Sequence, residues 1–157
     1  MKDFEIITKI TAKDYSELDA QERLVVDAAR QATAGAYAPY SKFSVGAAIL
    51  LDNGEVVTGA NQENAAFPSG TCAERTACFY AGAKYPESHF TMMAIAAIGT
   101  DGKELEKPIS PCGACRQALL EYETLAGHDV PLLLVGHDTI YRLKSFRSLL
   151  PLSFSEF

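Results

Sequence analysis

Apolar residues recur at helical spacing in the segment around Asp19. The recurring positions are Leu18, Leu24, Val25, Ala28, Ala29 and Ala32. This spacing predicts a helix that begins near Ser16 or Asp19, both good N-caps, and runs to about Thr33. Gly35 is a natural stop for this helix, because glycine is common just past a helix end.

Further along the chain, apolar runs with turn residues between them predict strands. Residues 45–51 and 55–60 favour a β-hairpin around the turn Asp52-Asn53-Gly54. The other runs that predict strands are 91–98, 131–135 and 138–143. Helices are expected from about Cys72 to Lys84 and from about Cys112 to Glu123, and a short one over 145–150.

The order of these elements, α-β-β-α-β-α-β-β-(α), predicts an α/β fold with a mixed sheet and helices on both of its faces. No internal repeat or low-complexity linker interrupts the 157 residues, which is the size of one ordinary domain. We therefore expect a single domain over residues 19–157, preceded by an N-terminal extension over residues 1–18.

Composition and charge narrow the class of protein. Hydrophobic residues make up 48% of the chain, enough for a real core, and the net charge is −6 without a Lys/Arg cluster. Tight electrostatic binding to nucleic acid is therefore not expected, and a small neutral substrate fits better. No apolar run reaches the ~20 residues that span a bilayer, and residues 1–5 lack the pattern of a signal peptide. These features predict a cytoplasmic protein with neither membrane nor nucleic acid as a partner.

The four cysteines, Cys72, Cys78, Cys112 and Cys115, suggest a metal site. In a cytosolic chain a close Cys-x-x-Cys pair is more often metal-binding or redox-active than disulfide-bonded. Two of the cysteines lie where a loop becomes a helix, and a helix N-terminus lowers the pKa of a thiol and favours the thiolate that a metal needs. Two such helix ends would hold Cys72, Cys112 and Cys115 around one zinc ion.

Cys78 is the alternative fourth ligand, which would close the site and make it structural. It follows Cys72 by six residues, roughly 240° around a helix, so both could face one metal only if the helix were broken. We interpret Cys78 as a small buried residue. The fourth zinc position then stays open for water, as a catalytic site requires, and zinc would bring the pKa of that water close to neutrality.

Two charged residues, Glu74 and Arg75, lie two and three positions after Cys72. Attack of hydroxide on an amidine-like carbon needs a carboxylate that moves protons without binding the metal, and Glu74 is the candidate. Residues two apart point roughly 200° apart in a helix, so Cys72 must lie at the very start of its helix. Arg75 is expected to hydrogen-bond the thiolates and offset their charge, with a surface salt bridge as the alternative.

Five segments, in this order, resemble the motifs of the small, homotetrameric, zinc-dependent cytidine deaminase family. They are AYAPYSKFSVGAA at 36–48, NQENAAF at 61–67, CAERTA at 72–77, SPCGACRQ at 110–117 and LLPLSF at 149–154. The Cys-x-Glu and Pro-Cys-x-x-Cys pattern is the signature that zinc deaminases share. The resemblance covers about residues 20–154 and implies a three-layer α-β-α fold with about five strands.

The resemblance also implies the chemistry of the family. It implies hydrolysis of cytidine and 2′-deoxycytidine to the uridines with release of ammonia, a step of pyrimidine salvage. One zinc ion per subunit would be bound by Cys72, Cys112 and Cys115, and Glu74 would be the proton shuttle. A homotetramer is implied in the same way.

The residues that resemble the family's substrate contacts are Asn61, Glu63, Phe43, Ala73 and Phe154. The resemblance implies that the first two bind the ribose 3′-hydroxyl, Phe43 packs on the pyrimidine, and the backbone around Ala73 reads the pyrimidine edge together with the Ser110 segment. Phe154 would reach the site of a neighbouring subunit. Each residue taken singly also has a simpler interpretation. Asn61 could be a turn residue and Glu63 a solvated charge. Phe43 could be a core residue, and Phe154 could pack on its own subunit.

Gln62 departs from the family pattern, in which an apolar residue is frequent at this position. It lies between the two sugar-binding candidates, so we expect it to affect sugar selectivity. Three rival functions remain open. They are a deaminase of a nucleoside antibiotic or another cytosine-containing small molecule, a polynucleotide-editing deaminase, and a zinc-stabilised binding module without catalysis.

Overall fold

The protein is described by a computed structural model that covers residues 1–155. In that range the strands are β1 Ile10–Lys13, β2 Ser44–Leu51, β3 Val56–Ala60, β4 Phe90–Ile98, β5 Leu132–Val135 and β6 Ile140–Leu143. The α-helices are α1 Ala20–Ala32, α2 Ala73–Lys84 and α3 Gly113–Ala126. The strands form one sheet in the order β1-β6-β5-β4-β2-β3, in which only β4 and β5 pair in parallel. The predicted α/β fold with a mixed sheet is confirmed.

Both faces of the central strands are buried, and successive side chains of β2 lie in the cores on opposite faces of the sheet. Ala47, Ile49 and Leu51 lie in the core beneath α2 and α3, whereas Ala48 and Leu50 lie in the core beneath α1. Successive residues of a strand point to opposite faces, so a strand covered on both sides is apolar throughout. The predicted placement of helices on both faces is confirmed.

The helix α1 begins where the sequence predicts. The side chain of Asp19 accepts a hydrogen bond from the backbone N–H of Glu22 at 2.8 Å, and the Glu22 carboxylate accepts one from the Asp19 N–H at 3.2 Å. This reciprocal pair is a capping box that satisfies two N–H groups at the helix end.

The structure has six strands in the described residues, where about five were expected, and the additional strand is β1. Ile10 pairs with Leu143 and Lys13 with Ile140 in an antiparallel ladder at the edge of the sheet. The side chains of β1 are mostly exposed, so no buried stripe marks it in the sequence. The boundary between an extension over residues 1–18 and a domain over 19–157 stays a prediction, and residues 156–157 of that domain lie outside the described residues.

Close packing between α2 and β3 brings the start of α2 to the sheet. A Cβ atom added at Gly59 would lie 2.7 Å from the carbonyl oxygen of Ala73 and would also meet the backbone N of Ala77. Only glycine permits this approach. Within residues 1–155, no helix combines the length and the hydropathy needed to cross a membrane.

Candidate active site

Three thiols converge between the N-termini of α2 and α3. Cys72 is the N-cap of α2 and Cys112 the N-cap of α3, both with extended backbone, and Cys115 lies in the first turn of α3. The three Sγ atoms all lie within 4.8 Å of one another, and those of Cys72 and Cys112 are 3.9 Å apart. The structure thus brings together the three cysteines that the sequence singled out.

The spacing of the thiols fits zinc. With Zn–S bonds of about 2.3 Å, tetrahedral geometry places two sulfur ligands about 3.8 Å apart, close to the separation of Cys72 and Cys112. A hydrogen bond from the Cys115 thiol, followed by Arg75 and Cys112, lowers the pKa of Cys72 to about 5. The same hydrogen bond raises the pKa of Cys115, which keeps its proton as the donor. Of this hydrogen-bonded pair, Cys72 is therefore the thiol that ionises first, and Cys115 remains the donor.

Arg75 lies against this cluster. Its Nη2 atom donates to the Sγ atom of Cys72 at 3.9 Å, and its hydrogen bonds to Cys72 and Cys115 raise the pKa of the guanidinium. The Arg75 Nε atom is buried and has no hydrogen-bond partner within the described part of the chain. Arg75 therefore lies at the thiols, and its role in offsetting their charge stays a prediction.

Glu74 is buried next to the thiols, with 4% of its surface exposed. Burial is the main reason why its pKa is raised, and the charge of Cys72 adds to the effect. A hydrogen bond from its own backbone N–H, the charge of Arg75 and a hydrogen bond with Cys115 act in the opposite direction. Because Cys72 is an N-cap with φ −74° and ψ 156°, helical geometry does not force the two side chains apart.

Cys78 lies outside the cluster, in the core beneath α2. It is fully buried, and its Sγ atom donates to the carbonyl oxygen of Arg75 at 3.6 Å. Burial raises the pKa of Cys78 to about 12, so the thiol stays protonated at neutral pH. The cluster of potential metal ligands found in residues 1–155 contains only Cys72, Cys112 and Cys115.

A cavity of about 300 Å³ adjoins the thiols. Its wall is formed by Tyr40, Asn61, Gln62, Glu63, Asn64, Phe67, Gly70, Thr71, Cys72 and Arg75. The volume lies at the lower end of the range for small-molecule sites. The cavity wall therefore contains one thiol of the cluster, Cys72, together with both of the residues that the sequence proposed for the sugar.

Asn61 and Glu63 both hydrogen-bond the chain at the start of β2 or shortly before it. The Asn61 amide accepts from the backbone N–H of Val45 at 2.7 Å and donates to the carbonyl oxygen of Phe43 at 2.9 Å. The Glu63 carboxylate accepts from the backbone N–H groups of Tyr40 at 2.8 Å and Ser41 at 3.2 Å. The Ser41 hydroxyl and these N–H groups outweigh desolvation and lower the pKa of Glu63. Each side chain keeps further hydrogen-bonding capacity for a ligand.

The other substrate-contact candidates do not line this cavity. Phe43 is half-buried and packs on the core beneath α2 and α3, and Ala73 is fully buried. The ring of Phe154 is 70% exposed, and its carbonyl oxygen accepts a hydrogen bond from Gln117 on α3. Within the single chain, Phe154 is not brought to the cavity.

Several cavity residues were not identified as site residues by sequence reasoning. Tyr40 and Phe67 face each other edge-on at the cavity wall, with their ring centroids 6.0 Å apart. Gln62 and Thr71 also line the cavity, and their backbones pair through two N–H···O hydrogen bonds of 2.9 Å. No periodicity in the sequence reveals an isolated pair of this kind. The position of Thr71 directly before Cys72 was the one available signal.

Comparisons with known proteins agree with this geometry. Residues 19–126 match the family model described as cytidine and deoxycytidylate deaminase zinc-binding region. The cytidine deaminase of Halalkalibacterium halodurans is 46% identical over 99 residues, which are 63% of this chain and 70% of the relative. That of Mycobacterium tuberculosis is 45% identical over 105 residues, which are 65% of this chain and 74% of the relative.

Solved structures are similar over most of the chain. The crystal structure of cytidine deaminase from Burkholderia pseudomallei is 36% identical with a TM-score of 0.71, and the match covers 87% of this chain and all of that one. The structure of the Mycobacterium tuberculosis enzyme is 33% identical with a TM-score of 0.66, over 88% of this chain and 100% of that one. The fold implied by the sequence motifs is thereby confirmed. The matched zinc-binding region and the three clustered thiols give zinc as the cofactor, and the chain belongs to the cytidine and deoxycytidylate deaminase family.

Proposed function

We propose that this protein catalyses the hydrolytic deamination of cytidine and 2′-deoxycytidine to uridine and 2′-deoxyuridine, with release of ammonia, as a step of pyrimidine salvage. The observation that carries the proposal is the buried Glu74 carboxyl beside three thiols that fit one zinc ion. The adjoining cavity supports it further, because Cys72 and Arg75 line this cavity together with Asn61 and Glu63.

The zinc would be bound by Cys72, Cys112 and Cys115, one ion per chain. When bound, zinc lowers the pKa of water to near neutrality and so supplies hydroxide at physiological pH. Cys72 and Cys112 occupy the N-cap positions of α2 and α3, where the positive ends of the two helix dipoles favour negatively charged metal ligands. Arg75 offsets the net negative charge that three thiolates leave on a divalent ion.

Glu74 moves the protons. It accepts a proton from the attacking water as the new C–O bond forms at carbon 4, and it delivers that proton to ring nitrogen N3. It then carries the remaining proton of the same oxygen to the exocyclic amine. The C–N bond breaks, ammonia leaves and a carbonyl remains at carbon 4. A carboxyl shielded from bulk water can serve in both directions because its proton is not exchanged with solvent between the steps.

The sugar and the base are held by different elements. Asn61 and Glu63 keep hydrogen-bonding capacity for the ribose 3′-hydroxyl, and a site that bonds a hydroxyl rejects analogues that lack it. The backbone at Ala73, together with the Ser110 segment, would read the pyrimidine edge, and Phe43 would pack on the ring. These assignments rest on the position of each residue in its motif.

A substrate panel tests the proposed function. Initial rates are measured with the zinc-loaded enzyme on cytidine, 2′-deoxycytidine, cytosine and cytidine monophosphate. We expect deamination of both nucleosides and far lower rates on the base and the monophosphate. Preference for cytosine or the monophosphate would contradict the assignment, and deamination of single-stranded DNA at low salt would favour the polynucleotide-editing alternative.

We infer that the enzyme is a cytoplasmic homotetramer in which Phe154 completes the site of a neighbouring subunit. Four free thiols suit a reducing compartment. Exposed apolar side chains on α2 and α3, Phe79, Tyr80 and Leu125, leave a surface that association would cover. Light scattering should give four times the mass of one chain, and dilution that dissociates the enzyme should abolish its activity. A fully active monomer would contradict this inference.

A further inference from the structure

The segment of residues 35–45, here called the 35–45 loop, brings Tyr40 to the cavity wall and includes the first two residues of β2. Three consecutive side chains hold it at three places. Asn61 bonds the end of the loop at Phe43 and Val45, and Glu63 bonds its middle at Tyr40 and Ser41. The side chain between them, Gln62, bonds its beginning.

Gln62 binds the 35–45 loop through its amide. The Nε2 atom donates to the carbonyl oxygen of Gly35 at 2.9 Å and to that of Asn61 at 3.1 Å. The Asn61 carbonyl also accepts a hydrogen bond from the backbone N–H of Tyr37 at 2.9 Å. The Gln62 amide therefore reinforces a backbone contact near the beginning of the loop. Both amide donors are then used by backbone carbonyls rather than by a ligand.

The backbone of Gln62 connects this tether to the thiol cluster. Gln62 and Thr71 exchange two hydrogen bonds of 2.9 Å, and Thr71 directly precedes Cys72. The backbone therefore fixes residues 61–63 relative to the chemical centre, and the Gln62 side chain is one of the contacts that fix the 35–45 loop relative to residues 61–63. A substitution of this side chain removes the tether at Gly35 and leaves the backbone bonds of Tyr37 and the side-chain bonds of Asn61 and Glu63 in place.

The 35–45 loop needs such contacts because its backbone is strained. Lys42 has φ +59°, a left-handed conformation that is unfavourable for a non-glycine residue. The conformation persists because the surrounding hydrogen bonds impose it. Loss of one tether lowers the population of this conformation and with it the apparent affinity for any ligand that needs it.

We propose that Gln62 is a positioning residue for the sugar-binding side of the cavity. Its amide sets the place of the 35–45 loop, and thereby of Tyr40, Ser41 and Phe43 against Asn61 and Glu63. This inference rests on the proposed function, in which Asn61 and Glu63 hold the ribose. Gln62 acts on substrate binding, and the proton transfer by Glu74 on α2 does not depend on it.

The kinetic test uses two variants of the zinc-loaded enzyme with cytidine as substrate. Gln62→Met keeps the length of the side chain but removes the donor, and Gln62→Glu places an acceptor against two carbonyl oxygens. We expect KM to rise about threefold to tenfold for Gln62→Met, the size of one or two lost hydrogen bonds, and further for Gln62→Glu. The value of kcat, the zinc content and the melting temperature should stay as in the wild type.

Gln21→Met, an exposed glutamine on α1, is the matched control and should leave KM unchanged. A role of Gln62 in filling space predicts that Gln62→Met behaves like the wild type, and this result would overturn the proposal. Equal losses in kcat and kcat/KM would overturn it too, because they would place Gln62 in the chemical step.

Hydrogen exchange separates this proposal from the proposed function. Without any substrate, backbone amides of residues 36–43 should exchange faster in Gln62→Met than in the wild type, while those of α2 and α3 should not change. A wild-type enzyme that does not deaminate cytidine would refute the proposed function alone. Unchanged exchange of residues 36–43 would refute the role of Gln62 alone.

Discussion

Cys72 and Cys78 are six residues apart in the sequence, and their environments give the same side chain two different roles. Cys72 caps α2, accepts hydrogen bonds from Cys115 and Arg75, and has a pKa lowered to about 5. Cys78 lies in the core, and burial raises its pKa to about 12. At the scale of the residue, the position along one helix decides which thiol can ligate a metal.

A pair of cysteine variants tests this difference. We expect Cys78→Ala to retain one zinc ion per chain and nearly full activity, at a cost of about 1 kcal/mol in stability for the lost core contacts. Cys112→Ala should lose most of its zinc, because two thiolates remain where three are needed. The zinc content of the purified variants, determined by mass spectrometry, gives the comparison. Loss of zinc from Cys78→Ala would mean that Cys78 is a ligand.

At the scale of the element, the approach of α2 to β3 fixes where Cys72 and Glu74 lie. Gly59 allows the first turn of α2 to contact the sheet. We expect Gly59→Ala to destabilise the protein by about 1–3 kcal/mol, because the added methyl group overlaps the backbone at Ala73 and Ala77 and displaces the start of the helix. Both the melting temperature and the zinc affinity should fall.

Gly35→Ala is the control for that substitution. Its added Cβ atom would lie 3.5 Å from the Cβ of Ala60, which is ordinary contact, and its φ is not in the left-handed region. Thermal unfolding of both variants should show a clear loss only for Gly59→Ala. Equal effects would show that close packing at Gly59 does not position α2.

Most elements could be predicted from the sequence because both faces of the sheet are covered. The strand β5 is wholly apolar, β2 and β4 are apolar except for Ser44 and Thr91, and Asp19 caps α1 as expected. The strand β1 could not be predicted, because its side chains are exposed and it is defined only by its ladder with β6. The pattern of apolar and polar residues reflects which side chains are buried, and an exposed edge strand buries few of them.

The candidate site shows the same limit. The thiol cluster was predictable because each cysteine lies at or next to a helix start, where the sequence itself marks the boundary. The hydrogen bonds of Asn61, Gln62 and Glu63 to the 35–45 loop join residues about twenty positions apart in surface loops. They depend on how the chain folds back, and no periodic pattern records them.

At the scale of the whole molecule, one buried carboxylate joins the first strand to the rest of the fold. Glu22 on α1 accepts hydrogen bonds from Lys13 on β1 at 2.6 Å and from Arg142 on β6 at 2.8 Å. Desolvation would raise the pKa of Glu22, but Lys13, the Asp19 backbone and Arg142 together lower it. The folded protein therefore binds the Glu22 proton more weakly than the unfolded chain does.

The lowered pKa predicts how stability depends on pH. The contribution of Glu22 is present above the unfolded pKa of about 4.3 and is lost as the pH falls toward the lower folded pKa. We expect Glu22→Gln to be less stable than the wild type at pH 7 by about 2 kcal/mol, because Lys13 and Arg142 lose their anion. The difference should shrink at pH 3.

Urea unfolding at the two pH values measures this difference, with Glu87→Gln, an exposed carboxylate, as the control. A difference between Glu22→Gln and the wild type that stays constant from pH 7 to pH 3 would contradict the role of the ionised carboxylate.

The central claim concerns Glu74, the buried carboxyl beside the thiols, and one paired measurement on Glu74→Gln tests it most directly. Zinc content and the rate of cytidine deamination are determined on the same preparation, beside the wild type and Glu121→Gln, an exposed carboxylate on α3. We predict that Glu74→Gln binds zinc as the wild type does. Its kcat should fall by about a hundredfold to ten-thousandfold, which is the usual contribution of a positioned proton-transfer group. Retained turnover with zinc bound would contradict the account, and loss of zinc would make Glu74 a ligand instead of the proton shuttle.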